Sequence, residues 1–130
     1  MRIVKSAMKK NLLWLPVLLS LMGGYAYARD YGEEAKIQYL IGSVETLQGE
    51  TFLRNGAEYD AKRAADHLRL KLKMAGNRVK NAEDFIRLCA SKSSISGEPY
   101  RMRFPDGTTM GAETFFRERL KALPVEGGTS

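Results

Sequence analysis

Four segments of the chain carry apolar residues at the spacing of an amphipathic helix. The apolar positions recur at intervals of three and four residues, which places them on one face of each helix. The predicted helices cover about 33–48, 61–75, 82–91 and 112–122. Gly49 follows the first segment and is expected to end that helix. Asp60 and Asn81 precede the second and third segments, where their side chains can accept hydrogen bonds from the first backbone N–H groups.

Two shorter segments alternate like half-buried β-strands around turn residues. Asn55-Gly56 is a two-residue hairpin motif because both residue types tolerate positive φ. Pro105-Asp106-Gly107 turns the chain in the second segment. The predicted strands are about 51–54 and 57–59 in the first hairpin, and about 100–104 and 108–110 in the second. Two hairpins that pair into one small antiparallel sheet, covered by helices, make a small single α+β domain.

The N-terminal segment has the pattern of a secretory signal. A basic start leads into an apolar run over 12–22 and then to Ala26-Tyr27-Ala28, so cleavage is expected after Ala28. The alternative is an uncleaved membrane anchor, because 11–28 contains no charged residue. A spanning helix needs about 20 apolar residues, and this run is interrupted by a proline, two glycines and polar residues. The predicted organisation is a signal peptide over 1–28, one domain over 29–123 and a disordered tail over 124–130. The predicted location is the periplasm.

Removing the signal peptide changes the charge balance. The whole chain has 21 Lys and Arg against 15 Asp and Glu, a formal net charge of +6. Four of the basic residues lie in 1–28, so 17 basic and 15 acidic residues remain, a formal charge of +2. This small excess gives no reason to expect a nucleic-acid partner. Membrane contact is expected only through the signal segment during export.

The inventory of reactive residues excludes several kinds of site. One histidine and one cysteine, His67 and Cys89, cannot supply the ligand cluster that zinc normally uses. The chain has no phosphate-binding glycine loop and no dinucleotide-binding motif, and it lacks the serine motif of a nucleophile elbow. No cofactor is therefore predicted. Cys89 follows Phe85 and Ile86 at helical spacing, so burial is expected for its thiol.

The stretch "SKSSISGEPY", residues 91–100, lies between the predicted third helix and the second hairpin. His67 and Lys71 lie one turn apart on the second helix. If these two helices pack together, the imidazole can meet a hydroxyl of Ser91, Ser93, Ser94 or Ser96. A serine paired with a histidine or lysine base is the minimum for nucleophilic catalysis. The alternative is structural, because serine hydroxyls also bond the open carbonyls at a helix end and the imidazole.

A second candidate is an arginine cluster on the sheet. Arg101 and Arg103 alternate with Met102, so they point to one face of their predicted strand. Arg54 can join them if the two hairpins share a sheet. Such a cluster suits carboxylate or phosphate groups, which arginine binds through paired hydrogen bonds. The alternative is a solvated strand face.

Three stretches, "FLRNGAEYDAKRAADHLRLKL", "AEDFIRLCASKSSISGEPY" and "FPDG", carry a resemblance to a known family. Together they resemble the YfeK-like family of small exported bacterial proteins, an uncharacterised-domain family. The resemblance covers most of residues 40–123 and runs through His67 and the serine-rich stretch. It implies a location in the Gram-negative cell envelope. It implies no activity, so no residue inherits a catalytic role.

The sequence is best interpreted as a non-catalytic binding or interaction module of the cell envelope. Its partner is expected to be an envelope protein or a small ligand. The candidate binding residues are Arg54, Asn55, His67, Lys71, Ser93, Ser94 and Ser96. The alternative is a small hydrolase that uses a serine of the loop 91–96 with His67 or Lys71. A hydrolase needs that serine within hydrogen-bond reach of its base, whereas a binding module needs only a complementary surface.

Overall fold

The computed structural model describes residues 31–124. The signal peptide predicted over 1–28 lies outside the described residues, and so does the tail predicted over 124–130 except for Pro124. Both stay predictions. Within the described part, no helix has both the length and the apolarity needed to cross a bilayer.

The described chain runs in the order helix, hairpin, helix, helix, hairpin, helix. The helices are α1 (Tyr31–Glu45), α2 (Ala61–Ala75), α3 (Ala82–Phe85) and α4 (Ala112–Ala122). The strands are β1 (Thr51–Arg54), β2 (Ala57–Tyr59), β3 (Arg101–Arg103) and β4 (Thr109–Gly111). A short 3-10 helix, Gly76–Arg78, follows α2, and a π-helix, Ile86–Ala90, continues α3. The predicted small α+β domain is confirmed.

The two predicted N-caps are confirmed. The carboxylate of Asp60 accepts a hydrogen bond from the backbone N–H of Arg63 at 2.8 Å, at the start of α2. The side chain of Asn81 accepts one from the N–H of Asp84 at 2.8 Å, at the start of α3. Each bond satisfies a donor that has no partner inside its helix. The caps therefore define where the helices begin.

The first helix has different limits from the predicted 33–48. It begins at Tyr31 and ends at Glu45. The hydroxyl of Thr46 donates to the carbonyl of Gly42 at 3.1 Å, immediately after the helix ends. The backbone N–H of Thr46 also bonds this carbonyl, but that of Leu47 bonds the carbonyl of Val44, three residues back, and such a tighter last turn is a usual end of an α-helix. The apolar spacing continues beyond this point, so it could not show the end of the helix.

The third helix also differs from its prediction, 82–91. Its backbone is α-helical only as far as Phe85, and it continues as the π-helix to Ala90. The hydroxyl of Ser91 donates to the carbonyl of Ile86 at 2.6 Å, across this wider turn. Turns of π-helix occur frequently beside functional sites, and this one leads directly into the serine-rich stretch.

The two hairpins form one antiparallel sheet, with the strand order β2-β1-β3-β4. Asn55 and Gly56 make the first turn with φ of 52° and 80°, the positive values that the sequence predicted. Strand β1 lies in the interior of the sheet, so that Phe52 faces Tyr59 on one side and Met102 on the other. The predicted pairing of both hairpins in one sheet is confirmed.

The helices cover one face of the sheet, and the core lies between these two layers. Phe52 and Met102 point into it from the sheet, and both are buried. Phe85 and Phe116 are buried on the helix side. Their two rings pack against each other edge to face, with centroids 6.3 Å apart. Cys89 is fully buried, as predicted. Helix α2 packs against β1 and β2, beside the end of β1 at which the candidate residues meet.

Candidate functional site

An open cleft of about 490 Å³ lies beside α2, at the end of β1 and next to the serine-rich stretch. Its walls combine three kinds of side chain. Basic groups come from Arg54, Lys71 and Arg78, with the imidazole of His67 beside them. Hydroxyl groups come from Ser93, Ser94 and Tyr100. Large apolar groups come from Leu70, Met74, Leu88 and Ile95. No acidic residue lines the cleft within the described part of the chain.

Helix α2 positions two of these groups through its spacing. His67 and Lys71 are four residues apart, so both side chains project from the same side of the helix. The neighbouring Ala64, Ala65 and Leu68 are buried. Small buried residues let the helix approach the sheet closely, which brings the side chains of His67 and Lys71 to Tyr100.

Tyr100 is the centre of the polar network. Its hydroxyl oxygen lies 3.0 Å from Nζ of Lys71 and 3.3 Å from Nε2 of His67. An ammonium can only donate, so the tyrosine oxygen accepts from Lys71 and its own proton is available to the neutral imidazole. Nζ of Lys71 also donates to the backbone carbonyl of Lys92 at 3.1 Å. The lysine thus links α2 to the start of the serine-rich stretch.

The surroundings of His67 keep its imidazole neutral. Burial lowers the pKa of His67, and the positive charges of Arg54 and Lys71 lower it further. These two cations and the hydroxyl of Tyr100 are the charged and titratable groups that face the ring. A neutral imidazole can accept the proton of Tyr100. At neutral pH the positive charge in this part of the cleft therefore comes from the lysine and the arginine.

The hydroxyl of Ser93 holds the serine-rich stretch in place. Ser93 is only 3% exposed. Its oxygen accepts hydrogen bonds from the backbone N–H groups of Ile95 at 3.1 Å and Ser96 at 3.3 Å. It also accepts one from the side-chain amide of Asn55 at 3.1 Å. Ser96 returns a hydrogen bond to the amide oxygen of Asn55. The loop is therefore bonded to the turn of the first hairpin.

The structure separates Arg54 from the other two arginines. Leu53 lies opposite Arg101 in the sheet, so these two side chains share one face and Arg54 points to the other. The predicted three-arginine cluster is therefore wrong, because the register places Arg54 on the helix side. Arg101 instead bonds Thr109, and Arg103 is ion-paired with Glu58 across the sheet.

Arg54 is only partly bonded. Its Nη1 donates to the hydroxyl of Tyr59 at 2.6 Å. Its Nε is buried and has no hydrogen-bond partner within residues 31–124. Buried polar groups usually have a partner. Because a buried atom is out of reach of a ligand, Arg54 contributes to the cleft through the positive charge of its guanidinium group.

The structure pairs no serine with a base in the described region. The imidazole of His67 bonds Tyr100, and Lys71 bonds Tyr100 and a backbone carbonyl. Ser91 bonds a helix carbonyl and Ser93 bonds the loop, which are structural uses of the hydroxyl group. The Ser–His or Ser–Lys arrangement of the hydrolase hypothesis thus has no support here.

Most of the predicted site residues meet at one place. Arg54, His67, Lys71, Ser93 and Ser94 line the cleft. Asn55 and Ser96 lie beside it and brace the loop. Among residues 31–124, no group of three or more His, Cys, Asp or Glu side chains is arranged to hold a metal ion.

Sequence reasoning missed Tyr100, Arg78 and the apolar part of the wall. Tyr100 begins an alternating segment in which Met102 is buried, so its position predicts an inward side chain but not a central polar role. Leu70 and Met74 lie four residues apart on α2. Their four-residue spacing, with Lys71 beside them, was the pattern that pointed to an exposed amphipathic wall.

Comparison with known proteins agrees with the resemblance found in the sequence. The chain is 39% identical over 93 residues to the uncharacterized protein YfeK of Salmonella typhimurium, a match that covers 72% of this chain and 77% of the relative. The family of unknown function DUF5329 matches residues 31–124, which are also the residues that the structure describes. No solved structure matches the chain. The predicted YfeK-like membership is confirmed, and the chain belongs to the DUF5329 family.

Proposed function

We propose that the protein is exported to the periplasm and acts there as a non-catalytic binding module, with the cleft beside α2 as its ligand site. The observation that carries this proposal is the meeting of Arg54, Lys71 and Tyr100 in a cleft without an acidic residue in the described chain. A pocket of several hundred Å³ with a few convergent polar groups is the usual form of a small-ligand site. Its charge favours an anionic ligand.

The positive charges of Arg54 and Lys71 have no carboxylate partner within the described residues, which also favours an anionic ligand. Four other arginines of the described chain form ion pairs, for example Arg69 with Glu45 and Arg117 with Glu83. Within residues 31–124, neither Arg54 nor Lys71 lies within ion-pair distance of a carboxylate. Two cations on one wall repel each other, and a bound anion would relieve that repulsion. Binding is the function that uses this arrangement directly.

The N-terminal pattern supports the location. Ala26 and Ala28 follow the apolar run in the order that a signal peptidase recognises. Expression of the full chain in a Gram-negative cell tests this part. The expected result is a periplasmic product whose N-terminal residue is Arg29. A product that keeps residues 1–28 in the membrane fraction would contradict export with cleavage and favour the anchor.

Anion binding is tested separately, with the protein purified after expression of the full chain. We expect small carboxylates or phosphates to raise the thermal unfolding midpoint, because a ligand that binds only the folded state stabilises it. Neutral amides of the same size serve as ligand controls. Lys71→Gln should lose the response, and Lys73→Gln, an exposed lysine outside the cleft, should keep it. Failure of every anion to stabilise the unmodified protein would refute the proposal.

A further inference from the structure

We infer that the cleft binds a single-chain amphipathic anion, an alkyl chain that ends in a carboxylate or phosphate group. This inference rests on the proposed function and adds the chemical class of the ligand. Lys71 and Arg54 bind the anionic head group. The apolar chain lies on Leu70, Met74 and Ile95.

The apolar part of the cleft wall supports the binding of an alkyl chain. Large hydrophobic side chains are normally covered, yet Leu70 is 52% exposed, Met74 72% and Ile95 87%. Three of the four exposed large hydrophobic residues in the described chain therefore line this one cleft. Scattered exposed apolar residues need no explanation, whereas a group of them beside a pocket is typical of a binding surface. Methionine suits such a surface because its flexible thioether adapts to the shape of a chain.

The basic groups of the cleft support the binding of an anionic head group. The ammonium of Lys71 has three donors, and its bonds to Tyr100 and to the carbonyl of Lys92 use two of them. The guanidinium of Arg54 adds a second positive charge to the same wall, although its Nε is buried and out of reach of a ligand. Carboxylate and phosphate oxygens bind guanidinium and ammonium groups through strong charge-assisted hydrogen bonds. One donor of Lys71 and the positive charges of both side chains therefore remain for an anionic head group.

The relative position of the cationic and apolar groups indicates the shape of the ligand. Leu70 and Met74 are one turn apart on α2, with Lys71 next to the first of them. The cationic and apolar groups thus lie side by side along one cleft of about 490 Å³. This volume falls in the range of sites that hold one small molecule. One chain with one charged end matches it better than a bilayer surface, which offers many head groups and few accessible chains.

Isothermal titration calorimetry with the purified protein tests the inference. The probes are alkyl carboxylates from butyrate to dodecanoate and alkyl phosphates of the same lengths, all below the concentrations at which they form micelles. The expected affinity rises by about four-fold for each methylene group that enters the cleft. The matched alkyl alcohols should bind about ten-fold more weakly or worse, because they lack the charge that strengthens hydrogen bonds to the cationic groups. Comparison of the carboxylate and phosphate series identifies which head group is preferred.

Two variants test the contact with the head group and the contact with the alkyl chain separately. Lys71→Gln should weaken all anions by a similar factor, whatever their chain length. Met74→Gln should weaken the long-chain anions by several-fold and leave butyrate unchanged, and its side chain is exposed enough that folding should not change. The control variants are Lys73→Gln and Tyr39→Gln. Tyr39 is the remaining exposed large hydrophobic residue in the described chain, and it lies outside the cleft.

Other outcomes of these titrations would contradict the alkyl chain, the anionic head group or the binding function. Equal affinity for short and long anions would refute the amphipathic ligand and leave the proposed anion-binding function intact. Equal affinity for alcohols and acids would refute the role of Lys71 and Arg54. Binding to phosphatidylglycerol vesicles without binding to any single-chain probe would replace the inference with a membrane-surface role. No binding of any anion would refute both the inference and the proposed function.

Discussion

Replacing Ser93 by alanine tests whether the serine-rich stretch is held by its own hydroxyl groups. The oxygen of Ser93 is the shared acceptor for two backbone N–H groups of the loop and for the side-chain amide of Asn55. Ser93→Ala removes this acceptor and leaves three donors to find water. A hydrogen bond contributes about 1 kcal/mol net, and a donor left buried costs about 1–3 kcal/mol.

The expected loss of unfolding free energy is about 1–2 kcal/mol. This loss is smaller than the summed contribution of three separate hydrogen bonds. Ile95, Ser96 and Asn55 are exposed residues, so water can reach their donors once the loop relaxes. For a domain of this size, 1 kcal/mol corresponds to a change of roughly 4–8 °C in the thermal midpoint. Ser93→Ala should therefore lower the midpoint by about 4–15 °C, measured by circular dichroism or calorimetry.

Ser94→Ala is the matched control. Ser94 is exposed, so its replacement should change stability by no more than about 0.5 kcal/mol. A double-mutant cycle of Ser93→Ala with Asn55→Gly isolates the contact between the loop and the hairpin turn, because glycine tolerates the positive φ at this position. If Ser93→Ala and Ser94→Ala have the same midpoint as the unmodified protein, the hydroxyl of Ser93 does not hold the loop.

Three further predictions concern other parts of the domain. The pKa of His67 is lowered in the folded protein by burial and by Arg54 and Lys71, so the unfolded chain takes up the proton first as the pH falls. Stability measured by urea unfolding should therefore decrease as the pH falls from about 7 to about 5.5, and His67→Gln should remove this decrease. Asp60→Ala removes the N-cap of α2 and should lower the unfolding free energy by about 1 kcal/mol; equal midpoints would contradict this. The thiol of Cys89 is fully buried, so a thiol reagent should modify it only at the rate of unfolding; rapid modification in native buffer would contradict the packing.

The fold was largely predictable because short-range interactions determine where its helices begin and where its first hairpin turns. The turn at Asn55-Gly56 needs positive φ at both positions, and few other residue pairs accept it. Asp60 and Asn81 mark helix starts by a hydrogen bond that reaches only three residues along the chain. Such local bonds do not depend on the rest of the molecule. The sequence is therefore sufficient to locate them.

The site was only partly predictable, because it depends on contacts between distant segments. His67 and Lys71 are obvious neighbours on a helix, but their common partner Tyr100 lies beyond the next helix in sequence. The position of Arg54 followed from the pairing of Leu53 with Arg101, which no local pattern specifies. The π-helix is a further example, since apolar spacing over so few residues fits either kind of turn.

The short strands at the sheet edges limit how this protein can associate with other chains. Within the described residues, the edges are β2 and β4, each only three residues long. An edge strand exposes unpaired backbone groups, and long exposed edges allow chains to join into extended sheets. Three residues offer few such groups, and Glu58 places a charge on the edge strand β2. Strand-to-strand aggregation through these two edges is therefore disfavoured.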